Sequence, residues 1–256
     1  MTTFERRYRL LNLLREQRGI RVPDLARRLD VSEGTIRNDL KALSQSGQLT
    51  RVWGGGVPVE DERVIIPAYE ARARMNLPAK HAIARAAAAQ VSDGDSVLLD
   101  ASTTVFHMAA FLQERQNLTI VTNGIEVGQE LARNTSNTVL LLGGVLRSDG
   151  TAITRPVYPD FLNDLHIKTA FISCSGFSIE TGLTEVDLHE AHFKRAMIAS
   201  AGMLVALIDS SKFGKVDLTS CARLEQVSHI YTDSRLPDEW AQQLSDAGVA
   251  FSRCSE

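Results

Sequence analysis

Hydrophobic positions in the first fifty residues recur at helical spacing. An apolar stripe predicts a first helix over residues 4–16, with members at Phe4, Tyr8, Leu10, Leu11, Leu13 and Leu14. Pro23 and Asp24 predict the first turn of a second helix, which ends at Asp30, since proline fits a first turn and an acid complements the positive helix end. Ser32 is a favourable N-cap for a third helix over residues 33–46. Two short helices joined by a tight turn predict a helix-turn-helix.

The third predicted helix carries, opposite its apolar face, side chains suited to DNA. Arginine pairs with guanine and asparagine with adenine, while threonine and lysine reach bases or phosphates. After this helix, residues 49–57 predict a hairpin wing whose Arg51 lies along the DNA backbone or in the minor groove. An alternative is a three-helix protein-interaction module with a solvated charged face. The candidate DNA contacts are Ser32, Glu33, Thr35, Arg37, Asn38, Lys41 and Arg51.

From residue 80 onward, apolar strand-like runs alternate with helical patterns. Strands are expected over residues 96–99, 119–122, 138–142, 169–173, 204–208 and 229–232, and helices over residues 80–90, 104–114, 124–133 and 188–200. Continuous apolar strands separated by helices predict an α/β domain with a mostly parallel sheet covered on both faces. The expected domains are residues 1–58 and 80–256, joined by a proline-containing linker over residues 59–79 with one short helix around residues 69–75.

The turns that follow the predicted strands hold most of the candidate chemistry, because parallel sheets bind ligands at the carboxyl ends of their strands. Ser102, Thr103 and Thr104 stand at a helix N-terminus, which suits a phosphate group, although simple N-capping is the alternative. Asn123-Gly124 and Gly143-Gly144 either line a pocket or are plain strand-to-helix turns. Lys212 follows a later strand and can reach a sugar hydroxyl or a phosphate.

The helix predicted over residues 188–200 carries four further polar candidates. Glu190 and Lys194 are four residues apart and either face the pocket or form a surface ion pair. His189 and His192 are three apart, but no third ligand accompanies them, so no metal site is expected. Structural roles are expected for the isolated histidines, which are His81, His107, His166 and His229.

Composition narrows the class of protein. With 256 residues, 44% hydrophobic and 23% charged, the chain is expected to be soluble and globular with two domains. No apolar run approaches a membrane span and no secretory signal is visible, so we expect a cytoplasmic protein without a membrane partner. The scattered cysteines Cys174, Cys221 and Cys254 suggest reduced thiols rather than a disulfide framework or a zinc site.

Charge is distributed unequally between the expected domains. Residues 1–58 carry 11 basic and 6 acidic side chains, a net +5, whereas the remainder carries 17 basic and 25 acidic, a net −8. This asymmetry predicts that the N-terminal domain meets a polyanion such as DNA, while the larger domain does not.

Residues 24–57, DLARRLDVSEGTIRNDLKALSQSGQLTRVWGGGV, resemble the N-terminal domain of DeoR-family repressors, the deoxyribose and glycerol-3-phosphate repressor group. That family typically has a second arginine where this chain has Asn38, and commonly a histidine where it has Trp53. Both differences fall at expected DNA-facing positions, so the resemblance implies DNA binding with a different operator sequence.

A second resemblance covers roughly residues 77–233. The segments DASTT, VTNG, LLGG, TAFISCSGF, GLTE, EAHFKRAM and DSSKFG occur in the order and spacing of the DeoR-family sensor domain, which resembles ribose-5-phosphate isomerase-type folds. The resemblance implies that Ser102, Thr103 and Thr104 hold the phosphate of the ligand. It places in the same pocket Asp100, Asn123, Gly144, Glu190, Lys194 and Lys212. Arg155 stands near a usual family glycine and adds a possible contact to an anionic group.

Together the resemblances imply a repressor of carbohydrate-metabolism genes that binds a double-stranded DNA operator and responds to a phosphorylated sugar or polyol. No cofactor and no catalytic residue are expected. A homodimer or homotetramer is expected because paired DNA-binding domains span two half-sites. The competing hypothesis is a sugar-phosphate isomerase with an appended DNA-binding domain. It would use Asp100 or Glu190 as a base and the lysines as electrostatic stabilisers.

Overall fold

A computed structural model describes residues 3–16, 20–45, 49–52, 55–58, 69–157 and 159–255 of the chain. The chain divides into two units, Met1–Pro67 and Ala68–Glu256. Residues 59–68 of the expected linker lie outside the described residues. Among the residues that are described, no helix is both long and apolar enough to cross a membrane.

The first unit is a winged helix-turn-helix, as predicted. It contains α1 (Thr3–Glu16), α2 (Val22–Leu29), α3 (Glu33–Gln45), and the antiparallel pair β1 (Leu49–Val52) and β2 (Gly55–Pro58). Asp30 ends α2 with φ of 53°, a left-handed conformation that aspartate tolerates better than most residues. The helices enclose a small core in which Leu10, Leu25, Ile36 and Leu40 are at most 2% exposed.

The second unit follows the predicted alternation of strands and helices. Its elements in chain order are α4 (Tyr69–Arg74), α5 (Leu77–Ala88), β3 (Ser96–Leu99), α6 (Thr103–Leu112), β4 (Thr119–Thr122), α7 (Ile125–Leu131), β5 (Thr138–Leu141), β6 (Gly144–Leu146), β7 (Ile153–Pro156), β8 (Ile167–Ile172), β9 (Gly176–Ser178), β10 (Gly182–Glu185), α8 (Leu188–Ala199), β11 (Ala201–Leu207), β12 (Thr219–Ala222), β13 (Val227–Asp233), α9 (Asp238–Asp246) and β14 (Phe251–Cys254). Seven strands form one parallel sheet in the order β14-β13-β11-β8-β3-β4-β5. The predicted α/β class is confirmed.

Successive residues of the central strands enter different hydrophobic cores. Val97 and Leu99 of β3 pack with α5, α6 and α7, whereas Leu98 packs with α8 on the other face. This arrangement explains why the strands read as continuous apolar runs, since both faces of the parallel sheet are covered. It also brings the carboxyl ends of β3, β4 and β8 side by side, because Leu99 pairs with both Thr122 and Phe171.

The structure corrects one expected turn and adds elements that were not predicted. Gly143-Gly144 leads into the β6–β7 hairpin and not into a helix. The small antiparallel sheet β12-β10-β9, the edge strand β14 and helix α9 were also missed. The short helix expected around residues 69–75 is present as α4.

Candidate functional site

The loop after β3 holds the N-terminus of α6 at the carboxyl edge of the sheet. Asp100 accepts hydrogen bonds from the backbone N–H groups of Ser102, at 3.0 Å, and Ser173, at 3.1 Å. Ser102 Oγ accepts one from the N–H of Val105 at 3.3 Å and so caps α6. Thr103 and Thr104 are buried in the first turn. The capping expected as the alternative interpretation is therefore present, and it fixes the loop in which a phosphate site was predicted.

A lysine that was not predicted lies against this loop. Lys80 of α5 is 4% exposed, and its Nζ donates to Thr103 Oγ1 at 3.0 Å and to the carbonyl oxygen of Arg72. Burial lowers the pKa of Lys80 to about 8. The charge of Asp209 opposes this shift, and the charges of Lys212 and Arg72 add to it. The half-buried Lys212 is thus close enough to act on the same ammonium group.

Lys194 is the centre of a buried ionic network at the ends of β3 and β8. Its Nζ lies 2.5 Å from Glu185 Oε1, 3.0 Å from Asp100 Oδ2 and 2.8 Å from the carbonyl oxygen of Ser173. Glu190 Oε1 is more distant, at 3.7 Å. The surface ion pair considered from the sequence is therefore wrong, because the Lys194 side chain is only 3% exposed. Burial alone would lower the pKa of Lys194, but the surrounding carboxylates raise it well above its ordinary value.

Arg147, in the turn of the β6–β7 hairpin, extends this network to an aromatic side chain. It donates to Glu190 Oε2 at 3.5 Å and to Asp149 at 3.0 Å. Its guanidinium carbon lies 5.9 Å from the ring centroid of Tyr69, which is 4% exposed and packs edge-on against Phe106. Burial, with the neighbouring Glu126, raises the pKa of Tyr69. The hairpin and α4 therefore both contribute side chains to this region.

Three further predicted residues have distinct surroundings. Asn123 is 4% exposed and donates from Nδ2 to the carbonyl oxygen of Ile153 at 2.8 Å, while its buried Oδ1 has no partner among the described residues. Gly144 passes so close to Arg155 that a Cβ atom would lie 2.0 Å from the Arg155 carbonyl oxygen. The side chain of Arg155 is exposed on β7. The structure thus gives Gly144 a packing requirement and leaves Asn123 with a free acceptor.

The histidines form no metal site in the part of the chain that the structure describes. His189 and His192 are both exposed on α8. His81 and His107 were expected to be isolated, but their ring centroids lie 4.6 Å apart, with His81 on α5 and His107 on α6. Burial lowers the pKa of His107, whose Nε2 lies 3.3 Å from the carbonyl oxygen of Ala73.

The predicted DNA-facing side of α3 is accessible. Ser32 Oγ accepts from the N–H of Thr35 at 3.1 Å, which caps the helix as expected. Arg37 donates to Glu33 Oε2 at 2.8 Å, and the two side chains are 61% and 44% exposed. Asn38 and Lys41 are exposed as well. The strand β1 contains Arg51, but the side chain of Arg51 and all of Trp53 lie outside the described residues.

The opposite side of α3 contains a buried acid that sequence reasoning missed. Asp39 is 1% exposed and accepts from Arg6 Nε at 2.5 Å and from Arg7 Nε at 2.8 Å. The Asp39 carboxylate raises the pKa of Arg6 through their hydrogen bond, although burial opposes this. Two arginines counted in the basic charge of residues 1–58 therefore have an internal role, which fixes α1 against α3.

Family models match both parts of the chain. Residues 6–62 match the DeoR-like helix-turn-helix domain, and residues 75–234 match the DeoR C terminal sensor domain. The chain belongs to the DeoR family. The resemblance inferred from the sequence is confirmed.

Relatives of this DeoR-family chain match it over almost their whole length. The HTH-type transcriptional regulator GolR of Listeria innocua is 33% identical over 97% of this chain and 98% of its own. The glycerol-3-phosphate regulon repressor of Escherichia coli is 29% identical over 99% and 100%. These relatives are named as transcriptional regulators or repressors and not as enzymes. Ribose 5-phosphate isomerase A from Neisseria gonorrhoeae aligns at 13% identity over 52% of each chain with a TM-score of 0.39, which supports no inference about activity.

Two of the residues that were not predicted, Lys80 and Asp39, are nevertheless marked in this DeoR-family sequence by the apolar positions around them. Lys80 stands on a stripe with Ile83, Ala84 and Ala87, all fully buried, so a single lysine on an apolar helix face marked a buried cation. Asp39 lies next to Leu40 and one turn from Ile36 on the inward side of α3. No comparable signal marks Arg147, because its position depends on a hairpin that was not predicted.

Proposed function

We propose that this DeoR-family chain is a repressor of carbohydrate-metabolism genes. Residues 1–58 bind a double-stranded DNA operator, and residues 80–256 bind a phosphorylated sugar or polyol that changes operator affinity. The chain acts as a homodimer or homotetramer, because two DNA-binding domains are needed to span two half-sites. A ligand changes operator affinity only by binding one arrangement of the protein more tightly than another.

The observation that carries the effector proposal is the Lys80 ammonium group beside the start of α6. It lies 3.0 Å from Thr103 Oγ1, at a helix end whose free N–H groups and dipole favour an anion. Burial disfavours the charged form of Lys80 and lowers its pKa to about 8, so a bound anion would stabilise that charged form. Ser102, Thr103, Thr104 and Lys212 complete the phosphate site in this proposal.

The other end of the proposed ligand consists of hydroxyl groups. Asn123 Oδ1 is buried and without a partner among the described residues, so a ligand hydroxyl that donates to it satisfies an otherwise costly buried acceptor. Glu190 and Arg147 at the edge of the ionic network offer a further acceptor and a donor. Asp100 and Lys194 hold this edge in position, since their ion pair and hydrogen bonds are made within the protein.

Operator recognition is assigned to the exposed side of α3. In this proposal Thr35, Arg37, Asn38 and Lys41 contact bases or phosphates, and Arg51 lies along the DNA backbone or in the minor groove. Arg37 donates a hydrogen bond to Glu33 Oε2 at 2.8 Å. On the operator, Arg37 either leaves Glu33 to contact guanine or contacts both, and Glu33 can accept a hydrogen bond from cytosine.

A thermal-shift screen tests the effector proposal. Ribose 5-phosphate, glycerol 3-phosphate and inorganic phosphate are each compared with ribose and glycerol, because a ligand that binds only the folded protein raises its melting temperature. Stabilisation by a phosphorylated compound, but not by its free counterpart, supports the proposal. Stabilisation by free sugars or polyols with no response to any phosphorylated compound would contradict it.

Fluorescence anisotropy with operator DNA tests the other half. Arg37→Ala is expected to weaken specific binding about 5- to 150-fold, the value of one bidentate base contact. Lys168→Ala serves as control, because Lys168 is exposed in the second unit and pairs with Asp95. Wild-type affinity is also expected to fall steeply as salt rises. Equal operator affinity of wild type and Arg37→Ala would show that α3 is not the recognition helix.

A further inference from the structure

The short helix α4 is the first described element of the second unit, and residues 59–68 separate it in sequence from β2 of the winged helix-turn-helix. It contains six residues, Tyr69–Arg74. A helix of this length is not stable by itself in water, because isolated helices shorter than about 12 residues are marginal even in favourable sequences. The order of α4 therefore depends on its contacts with the rest of the second unit.

Side chains of α5 and α6 hold the C-terminal carbonyl groups of α4. Lys80 Nζ donates to the carbonyl oxygen of Arg72 and also donates to Thr103 Oγ1 at 3.0 Å. His107 Nε2 lies 3.3 Å from the carbonyl oxygen of Ala73. The last carbonyl groups of a helix have no partner within the helix, so these side chains supply donors that α4 lacks. Lys80 thus connects α4 directly to the loop in which the phosphate site is proposed.

Two further contacts connect α4 to the proposed effector site. At its start, the ring centroid of Tyr69 lies 5.9 Å from the guanidinium carbon of Arg147 in the β6–β7 hairpin. Just after its end, Asn76 donates from Nδ2 to Asp209 Oδ1 at 3.0 Å, three residues before Lys212. Because Arg147 and Lys212 belong to the proposed effector site, both ends of α4 are joined to parts of the chain that would contact the ligand.

We propose that α4 is the regulatory element of this protein, which an effector bound beside Lys80 and Arg147 orders and which thereby changes operator affinity. The inference rests on the proposed function for the position of the effector and for operator binding. An anion at the start of α6 favours the charged form of Lys80. A charged donor makes a hydrogen bond about twice as strong as a neutral one, so the bond to the Arg72 carbonyl is strengthened when the anion binds.

The position of α4 in the sequence gives this ordering its effect on the operator. Residues 59–68 are the covalent connection between β2 and α4. Ordering of α4 fixes the end of this connection and so restricts the arrangements available to the winged helix-turn-helix. A ligand that favours some arrangements over others changes the affinity for DNA.

Hydrogen–deuterium exchange of the full-length protein tests the ordering of α4. With inorganic phosphate as the probe, the peptide that contains residues 69–75 is expected to exchange about 5- to 150-fold more slowly, the usual range of coupling between two sites. Differential scanning fluorimetry in the same buffers shows whether phosphate binds. A rise in melting temperature without slower exchange in α4 would overturn the inference and leave the proposed function intact. No rise in melting temperature would refute the phosphate site, and the inference with it.

Asn76→Gly tests the connection between α4 and operator affinity. Asn76 has φ of 53°, a left-handed conformation that glycine adopts without strain, so the variant keeps the backbone and loses the hydrogen bonds to Asp209 and Ser211. Asp209 keeps its hydrogen bond from the N–H of Ser211 at 3.1 Å, so the phosphate-induced rise in melting temperature is expected to remain. Exchange in α4 is expected to be about fivefold faster, the value of one hydrogen bond. The phosphate-induced change in the operator dissociation constant is expected to decrease by a similar factor.

Asn117→Gly is the matched control. Asn117 also has a left-handed φ, of 59°, but it precedes β4, at the end of the sheet opposite to the proposed site. This variant is expected to behave as the wild type in exchange, melting and operator binding. If wild type and Asn76→Gly have the same exchange in α4 and the same phosphate response on the operator, α4 is not the regulatory element. Should Asn76→Gly fail to fold, the exchange measurement on the wild type decides by itself.

Discussion

Replacement of Lys80 by methionine is expected to stabilise the ligand-free protein and to abolish its response to phosphate. The pKa of Lys80 is about 8 in the folded chain, compared with 10.5 for an ordinary lysine. Below pH 8 Lys80 is charged in the folded state, and this difference corresponds to a cost of about 3 kcal/mol for burying that charge. Loss of two hydrogen bonds, each about 1 kcal/mol, offsets part of this gain in Lys80→Met. A net stabilisation of about 1 kcal/mol, or roughly 2–4 °C, follows.

The pH dependence provides the second part of this test. The folded pKa of Lys80 is lower than its unfolded value, so between about pH 8 and 10.5 the unfolded state binds more protons. The stability contribution of this group therefore rises with pH through that window, and the variant lacks this rise. Phosphate needs the charged lysine, so wild-type phosphate affinity is expected to fall up to tenfold per pH unit above pH 8.

Differential scanning fluorimetry with and without inorganic phosphate, from pH 7 to 9.5, measures both effects. Phosphate at a hundred times its dissociation constant stabilises the wild type by about 2.7 kcal/mol, and this shift is expected to vanish in Lys80→Met. Lys168→Met is the control, because Lys168 is half exposed and its partner Asp95 is outside the loop at residues 100–104. A destabilised Lys80→Met that keeps the full phosphate shift would refute the reasoning, since Lys80 would then be a structural residue alone.

Three further changes test the packing of the site and of the DNA-binding unit. Gly144→Ala is expected to cost about 3 kcal/mol in thermal unfolding, because its Cβ would meet the Arg155 carbonyl oxygen, whereas Gly143→Ala, with open space around it, stays within about 0.5 kcal/mol. Lys194→Met leaves buried carboxylates without their cation and is expected to cost about 3–5 kcal/mol in urea unfolding at pH 7; an unchanged midpoint would contradict the network. Asp39→Ala is expected to destabilise the first unit by about 2 kcal/mol, seen as faster proteolysis of residues 3–45 with the second unit intact.

The parts of the fold that the sequence predicted are those in which periodicity and end signals agree. Ser32 as a cap and Ile36, Leu40 and Leu43 as an inward face placed α3 correctly. In the larger unit, a parallel sheet requires continuous apolar strands and puts polar residues at their ends. The polar run that begins at Asp100 therefore predicted the position of the loop after β3.

The parts that were missed depend on contacts between distant segments. Lys194 was a candidate pocket residue from the sequence, but its main partner Glu185 was not predicted, because their closeness depends on the antiparallel strands around β10. Arg147 and Tyr69 meet only after α4 and the β6–β7 hairpin have folded against the sheet. Asp39 was overlooked since a charged residue in an exposed helix is usually solvated.

The ionic network around Lys194 restricts how this site can change during evolution. Lys194 already contacts Asp100, Glu185 and the Ser173 carbonyl within the protein, so replacing any one of the charged side chains leaves a buried charge uncompensated. Single substitutions at these positions are therefore expected to destabilise the protein, whichever ligand it binds. In the proposed site, Asn123 carries no charge and Arg147 lies at the edge of the network, so substitutions at these two residues are expected to change ligand preference at a smaller cost in stability. A library aimed at a regulator for a different effector would hold the lysine and its acids constant and vary the hairpin.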